Sequence, residues 1–597
     1  MRRGYRDCAR WGLVLLAVLI VRPPAGGAAA AQANGLRVAG RSAALRLAER
    51  SAALRFALRI PAALARRPLN GRIYVMLSTQ AHPEPRFLIN DSPATQQFFG
   101  MEARGWRPGQ TLWLDDHALG YPIQHLRQIP PGRYWVQALF NIYATYHLPG
   151  GRVLRLPPDR GEGQQWNRKP GNYYSRPQPV EIEPAANAVI KLTLDRRIAP
   201  LPPPHSRGRL RYLRYRDRRL SRFWARPVYL GAWVLLPAGW HRHPRAHYPL
   251  IVYQGHFSRN FRVPDTWRAQ PPQAHARGRR QAYEAASYAF HQAWLDGQLP
   301  HVLLVAIQHA NPYYDDSYSV NSANLGPYGD AIVKDLIPYI ERKYRGLGQG
   351  WARALYGGST GGWEALATQI FYPGDFNGAW GACPDPVDFR SYQIVNIYQD
   401  KNAYWLLGPW SRVARPSIRR PNGEVTTSMF REMLRERVLG SKGRSTDQFD
   451  IWQAVFSPAG RDGYPAPIWD PKTGALDPKI AAYWKAHYDL RAWLARHWAA
   501  LGPKLKGKLH LSVGEMDTYY LNNAVQRLQS FLANTRAPHV AGDFEYGPGL
   551  PHCYFGGNPK LPVWQTAFQA PLRIIPILVK HMLASAPAGA DTRSWRY

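Results

Sequence analysis

The chain has 597 residues, 45% of them hydrophobic and 20% charged, which excludes intrinsic disorder and allows two or three domains. Lys and Arg number 77 against 40 Asp and Glu, a net charge of +37. Such an excess suits anionic polymers, but no nucleic-acid module is recognisable, so nucleic acid is not an expected partner.

At the N-terminus Arg2, Arg3 and Arg6 precede an apolar run over 12–21, too short to span a bilayer comfortably. Ala31-Gln32-Ala33 then offers a small-residue cleavage site. Residues 1–33 therefore read as a signal peptide, the other reading being an uncleaved anchor. No other stretch is long and apolar enough to cross a membrane, so a periplasmic or secreted protein with no span after signal cleavage is expected. An Ala/Arg-rich lead-in occupies 34–52.

From 53 to 197 the pattern is strand-like. Residues 54–60, 71–78, 111–114, 133–143 and 189–194 alternate with period two and are rich in Tyr, Trp, Val and Ile. Turns such as Ile129-Pro130-Pro131-Gly132 separate them, which predicts an all-β, sandwich-like domain. A linker over 198–227 combines Pro202, Pro203 and Pro204 with nine arginines between Arg207 and Arg226. It reads as an extended segment with aromatics inward and arginines outward.

From 228 to 585 strands and helices alternate. Strands are predicted over 228–236, 249–253, 301–307, 353–356, 377–382, 508–513 and 543–546. Helices are predicted over 328–345, 363–370, 521–532 and 571–584, with Pro338 disturbing the first. The alternation predicts an α/β domain, a mostly parallel sheet with helices on both faces. Residues 390–490 read as an irregular aromatic insertion over the site, and 586–597 as a C-terminal tail.

Gly357-Gly358-Ser359-Thr360-Gly361 has the G-x-S-x-G form. Between a strand and an apolar helix it predicts a nucleophile elbow, where glycines permit a strained serine and close backbone approach. A serine nucleophile needs a base, and the base an orienting acid. His552 follows the last predicted strand. Asp517 follows the strand before it, with Glu515 and Asp385 as reserves. The oxyanion donors are expected to be the N–H groups of Thr360 and of His256, the latter in the Gln254-Gly255-His256 turn.

This half of the chain resembles the "putative esterase" group of α/β hydrolases, with S-formylglutathione hydrolases, feruloyl and acetyl-xylan esterases, enterochelin esterases and mycolyltransferases. The residues carrying the likeness are the strand and turn from Tyr248 to Gly255, Asp335 to Glu341 with Tyr344-Arg345, Gly357 to Gly362, Asp517 and His552. One departure is Gln254-Gly255, where the group usually has His-Gly. The resemblance implies an α/β-hydrolase fold and an exported serine esterase working through an acyl-enzyme, with no cofactor. The alternatives are an acyltransferase to a sugar or lipid hydroxyl, and a non-catalytic envelope or glycan-binding protein. The 22 Trp and 34 Tyr suggest carbohydrate or aromatic-acyl esters, although aromatic cores use the same residues.

Cys383 ends a strand and Cys553 adjoins His552, so the two are a candidate disulfide that would fix the His552 loop, with two small buried thiols as the other reading. His241, His243 and His247 read as a polar hairpin, and no metal site is expected. Asn311 to Asn321 lies on the same edge of the sheet as the nucleophile, as a pocket wall or as a loop held by Asx-type bonds.

Overall fold

A computed structural model describes residues 54–163, 165–183, 188–256 and 267–597. The expected signal peptide and lead-in lie outside the described residues. No helix among the described residues is long and apolar enough to cross a membrane.

The N-terminal part is two packed sheets and a separate hairpin, Ala144–His147 with Val153–Leu156. In the first, Val189–Thr193, Arg55–Arg59 and Thr111–Leu114 lie side by side; in the second, Leu69–Ser78 is flanked by Gln97–Trp106 and Gly132–Ile142. Period-two alternation turns Phe56 and Leu58 of one sheet and Ile73, Val75 and Leu77 of the other into a common core, as a sandwich requires. Leu69–Ser78 is buried on both faces. Its other side chains, Tyr74 and Met76, meet Leu434, Val438 and Leu439 of the insertion helix Met429–Leu439.

Polar bonds complete that seam. Arg72 Nε donates to the Val438 carbonyl at 2.6 Å and its Nη2 to Arg437 at 2.7 Å, while Tyr74 Oη donates to Leu439. These are last-turn carbonyls, which the helix itself leaves unpaired. The insertion is thus not irregular, as expected, but holds helices Met429–Leu439, Gln448–Phe456 and Pro478–His487 and two hairpins. Its buried aromatics hide the helical period from the sequence.

The catalytic sheet has eight strands: β1 Leu210–Asp217, β2 Val228–Leu235, β3 Leu250–Gln254, β4 Leu303–Gln308, β5 Arg353–Gly358, β6 Ala379–Ala382, β7 Leu509–Gly514 and β8 Asp543–Gly547. Their order is β1-β2-β4-β3-β5-β6-β7-β8. β2 runs antiparallel to both its neighbours and the remaining pairs are parallel. This is an α/β-hydrolase sheet, whose strand ends carry the functional loops.

Two boundaries and one helix differ from expectation. The supposed linker supplies β1 and the helix Arg218–Phe223: β1 buries Leu210, Leu213 and Asp217 and pairs along its length with β2 as an edge strand. The C-terminal tail belongs to the catalytic domain: Trp595 is buried, and Tyr597 Oη donates to the Ala238 carbonyl at 2.7 Å. Helix α1, Gly278–Leu295, joins β3 to β4. It escapes the sequence because its buried stripe mixes Glu284, Ser287 and His291 with Phe290 and Trp294. The helical run from Tyr328 to Tyr344 has the expected irregularity. A π-type turn over Ala331–Leu336 precedes Ile337–Tyr344, whose second residue is Pro338.

Candidate active site

Ser359 stands between β5 and helix α2, Thr360–Phe371, with φ 58° and ψ −125°. A non-glycine residue in such a conformation costs about 1–3 kcal/mol and persists only where its surroundings hold it. Here Ser359 N–H donates to the Ala382 carbonyl at 2.9 Å, and its own carbonyl accepts from Gly362 and Trp363. A Cβ on Gly361 would lie 2.1 Å from the Gln254 carbonyl oxygen and 2.9 Å from the Gly255 Cα. The glycine therefore lets the end of β3 press against the start of α2.

His552, in the loop after β8, spans two groups. Its Nε2 is 3.0 Å from Ser359 Oγ and its Nδ1 is 2.8 Å from Asp517 Oδ2. Asp517 is fully buried after β7, and its Oδ1 accepts from Tyr519 N–H at 2.9 Å and Leu521 N–H at 3.3 Å. The three side chains picked from sequence are thereby brought together. Burial by itself would lower the His552 pKa; the charge interactions with the Cys553 sulfur and the Asp517 carboxylate outweigh it and hold the imidazole well above its usual value.

The two reserve acids are elsewhere. Glu515 is exposed. Asp385 is buried but accepts from Tyr318 Oη at 2.7 Å, Thr360 Oγ1 at 3.1 Å and Trp452 Nε1 at 3.1 Å. Burial raises its pKa against the lowering pull of those donors.

Thr360 opens α2, so its N–H has no intrahelical acceptor. His256 follows Gly255, whose φ is 141°. The His256 imidazole is held from the side: Nδ1 is 3.0 Å from Asp315 Oδ1 and 2.7 Å from Asp316 Oδ2. Burial would depress this imidazole too, yet the two carboxylates raise it well above its ordinary value. Burial pushes Asp315 up to about 6 against the pull of His256. The Asn311–Asn321 loop thus does two things. Asn311 Oδ1 accepts from Tyr313 and Tyr314 N–H in Asx fashion, and the loop delivers Asp315, Asp316 and Tyr318 to the site.

Of the two readings of Cys383 and Cys553, the structure has the second: both are free. β6 and the β8 loop do set them together, with sulfurs within 4.8 Å, each on a left-handed backbone with φ 38° and 70°. The hydrogen bond from Cys383 and the adjacent imidazole lower the Cys553 thiol, while burial raises Cys383.

Among the described residues, two clusters could offer a metal three ligand atoms: Cys383, His552 and Cys553, and His256, Asp315 and Asp316. Each histidine is already engaged by carboxylates.

Residues 230–573 match the family model described as "Putative esterase". The chain belongs to that family. This esterase is thus a carboxylic ester hydrolase of the α/β-hydrolase fold. Three solved structures similar to it are a ferulic acid esterase, the S-formylglutathione hydrolase from Agrobacterium tumefaciens and a fluorophosphonate-binding serine hydrolase from Staphylococcus aureus. The first is 12% identical, covering 63% of this chain and 100% of that one with a TM-score of 0.34. The second is 10% identical over 62% and 94%, with a TM-score of 0.31. The third is 12% identical over 63% and 99%, with a TM-score of 0.30. No curated protein sequence matches the chain. The family match begins within β2, so the β-sandwich lies outside it.

Sequence reasoning missed the residues that brace this esterase's site. Arg419, from the insertion hairpin strand Pro416–Arg419, donates from Nε to the Asp517 carbonyl at 2.9 Å and from Nη2 to Glu515 O at 3.3 Å and Asn522 Oδ1 at 3.1 Å. Tyr519 sets its ring edge-on to His552 at 4.9 Å. Only contacts between residues distant in the chain, 98 apart for Arg419 and Asp517, reveal either role.

Proposed function

We propose that this esterase cleaves its substrate through Ser359, His552 and Asp517. The observation carrying this reading is His552 lying 3.0 Å from Ser359 Oγ and 2.8 Å from Asp517 Oδ2. Ser359 Oγ attacks the ester carbonyl carbon while His552 Nε2 takes its proton, and the negative charge passes to the carbonyl oxygen. The N–H groups of Thr360 and His256 receive that oxyanion. Collapse expels the alcohol, which takes the proton from His552, and leaves an acyl-Ser359. Water repeats the sequence and releases the acid. Asp517 keeps the proton on Nδ1 and stabilises the imidazolium formed twice per turnover.

A cavity of about 610 Å³ lies beside His256, lined by Tyr314 and Asp315 on one side and by Arg86, Phe87 and Arg168 of the β-sandwich on the other. Its size suits one ligand group, and its aromatic and guanidinium wall supports an aromatic-acyl or carbohydrate ester as substrate. The leader over 1–33 supports export to the periplasm or medium.

The test is labelling with a fluorophosphonate probe, with the adduct located by peptide mass. An adduct on Ser359 that disappears in Ser359→Ala is expected. A folded wild type that takes no label, or takes it on another serine, overturns the assignment.

A further inference from the structure

Within the insertion, Trp405–Leu407 and Arg412–Ala414 pair as a two-stranded hairpin, with Leu406 opposite Val413 and Leu407 opposite Arg412. Gly408 N–H donates to the Ser411 carbonyl at 2.8 Å, closing a four-residue turn. Pro409 takes the position where its fixed φ is favoured, and Trp410 follows at the apex. Trp410 is 98% exposed, Leu407 and Val413 59% each and Leu406 51%. Scattered exposed apolar residues need no explanation, but four large ones on one projection mark a contact surface. The projection has a firm base: Arg415 N–H donates to the Tyr404 carbonyl at 2.8 Å, and the Arg415 guanidinium meets Asp400 at 3.0 Å and the Asn402 carbonyl at 3.1 Å.

Strand alternation decides what can cover it. Leu406 and Val413 share one face of the ribbon, Trp405 and Leu407 the other, and Trp410 caps the end. A groove in a protein covers one face of a ribbon; a hydrocarbon phase takes both faces and the apex together. The surroundings are cationic. Residues 401–431 hold six Lys and Arg and one acidic residue, Glu424. Lys401, Arg412, Arg420 and Arg431 are exposed, and Arg412 lies over the Trp405 ring at 4.4 Å.

We propose that this hairpin is an interfacial anchor that seats Leu406, Leu407, Trp410 and Val413 in an anionic lipid surface, with Arg412 at the headgroups. Apolar insertion and attraction to anionic headgroups add in such contacts. A tip of four side chains with few charges gives reversible adsorption.

The experiment is co-sedimentation of the full chain with vesicles of phosphatidylglycerol and phosphatidylcholine in equal parts, and with phosphatidylcholine alone. Wild type is expected to pellet with the anionic vesicles and to release at about 0.5 M salt, where screening shortens to a few ångströms. The double variant Leu407→Ser with Trp410→Ser should lose binding by about tenfold or more, and Arg412→Glu by about tenfold. Turnover of soluble p-nitrophenyl acetate by both variants should stay at the wild-type rate, which shows the fold is intact. Wild type remaining in the supernatant, or variants pelleting as wild type does, overturns the proposal. Equal binding to phosphatidylcholine alone overturns the anionic surface. A wild-type dimer that the double variant dissociates without lipid assigns the hairpin to a second copy instead.

Discussion

Replacing Asp517 by Asn should nearly abolish turnover while leaving the fold in place, and the hydrogen bonds say why. Asp517 Oδ1 accepts two backbone N–H groups, from Tyr519 and Leu521. An Asn side chain must keep its oxygen there, since turning its amide would set donors against donors. Its NH₂ then faces His552 Nδ1, which a carboxylate oxygen now meets at 2.8 Å. To accept from that NH₂ the imidazole must move its proton to Nε2, and Nε2 can no longer take the proton of Ser359. The wrong tautomer of a triad histidine lowers kcat by about ten-thousandfold, ~5.5 kcal/mol of barrier. The near-isosteric change keeps the Oδ1 bonds, so the Tm should move by only a few degrees. Steady-state hydrolysis of p-nitrophenyl acetate, read beside the thermal melt, measures both. A variant within about tenfold of wild type would refute this reasoning and turn attention to Asp385, a buried carboxylate whose own N–H donates to the Ser359 carbonyl at 3.3 Å.

Three further outcomes are expected. Arg419→Met removes the bonds to the Asp517 and Glu515 carbonyls; with each charged hydrogen bond worth about 1.5–3 kcal/mol, kcat should fall about tenfold or more with KM little changed, and Arg419→Lys should recover part of it. Gly361→Ala would drive a methyl to 2.1 Å from the Gln254 carbonyl, so chemical denaturation should show a loss of about 1–3 kcal/mol, with slower labelling of Ser359 as the His256 turn is displaced. Because the His552 pKa is raised and only the neutral imidazole accepts the serine proton, kcat/KM should fall as pH drops, with a midpoint above about 6.5. The same shift means His552 stabilises the fold fully below about 6.5 and loses that contribution as pH rises through its folded-state value. An acid limb centred below 6 would show that His552 is not the titrating base.

Much of the catalytic half was legible in the chain. β3 and β5 are short, largely apolar runs ending in Gly-bearing turns, β7 runs into a turn that bears Asp517, and the order Ser359, Asp517, His552 follows from strands laid down in sequence. The parts that stayed hidden share one cause: their period is set by a neighbour rather than by one wet and one dry face. β1 looked like a linker because its arginines, Arg211, Arg214 and Arg216, fall on both faces of an edge strand. Helix α1 and the insertion helices are buried on more than one side, or along mixed polar stripes, so no amphipathic period survives.

Local chemistry sufficed for the elbow. The glycines around Ser359, the strand before it and the apolar helix after it are neighbours in sequence, and steric rules at one backbone position dictate the turn. The pairing of His256 with Asp315 and Asp316, the free state of Cys383 and Cys553, the brace from Arg419 and the seam between Tyr74 and the insertion helix were decided only by tertiary structure. Each joins groups 59 to 365 residues apart. Their energies depend on distances and burial that exist only once the sheet, the sandwich and the insertion have packed.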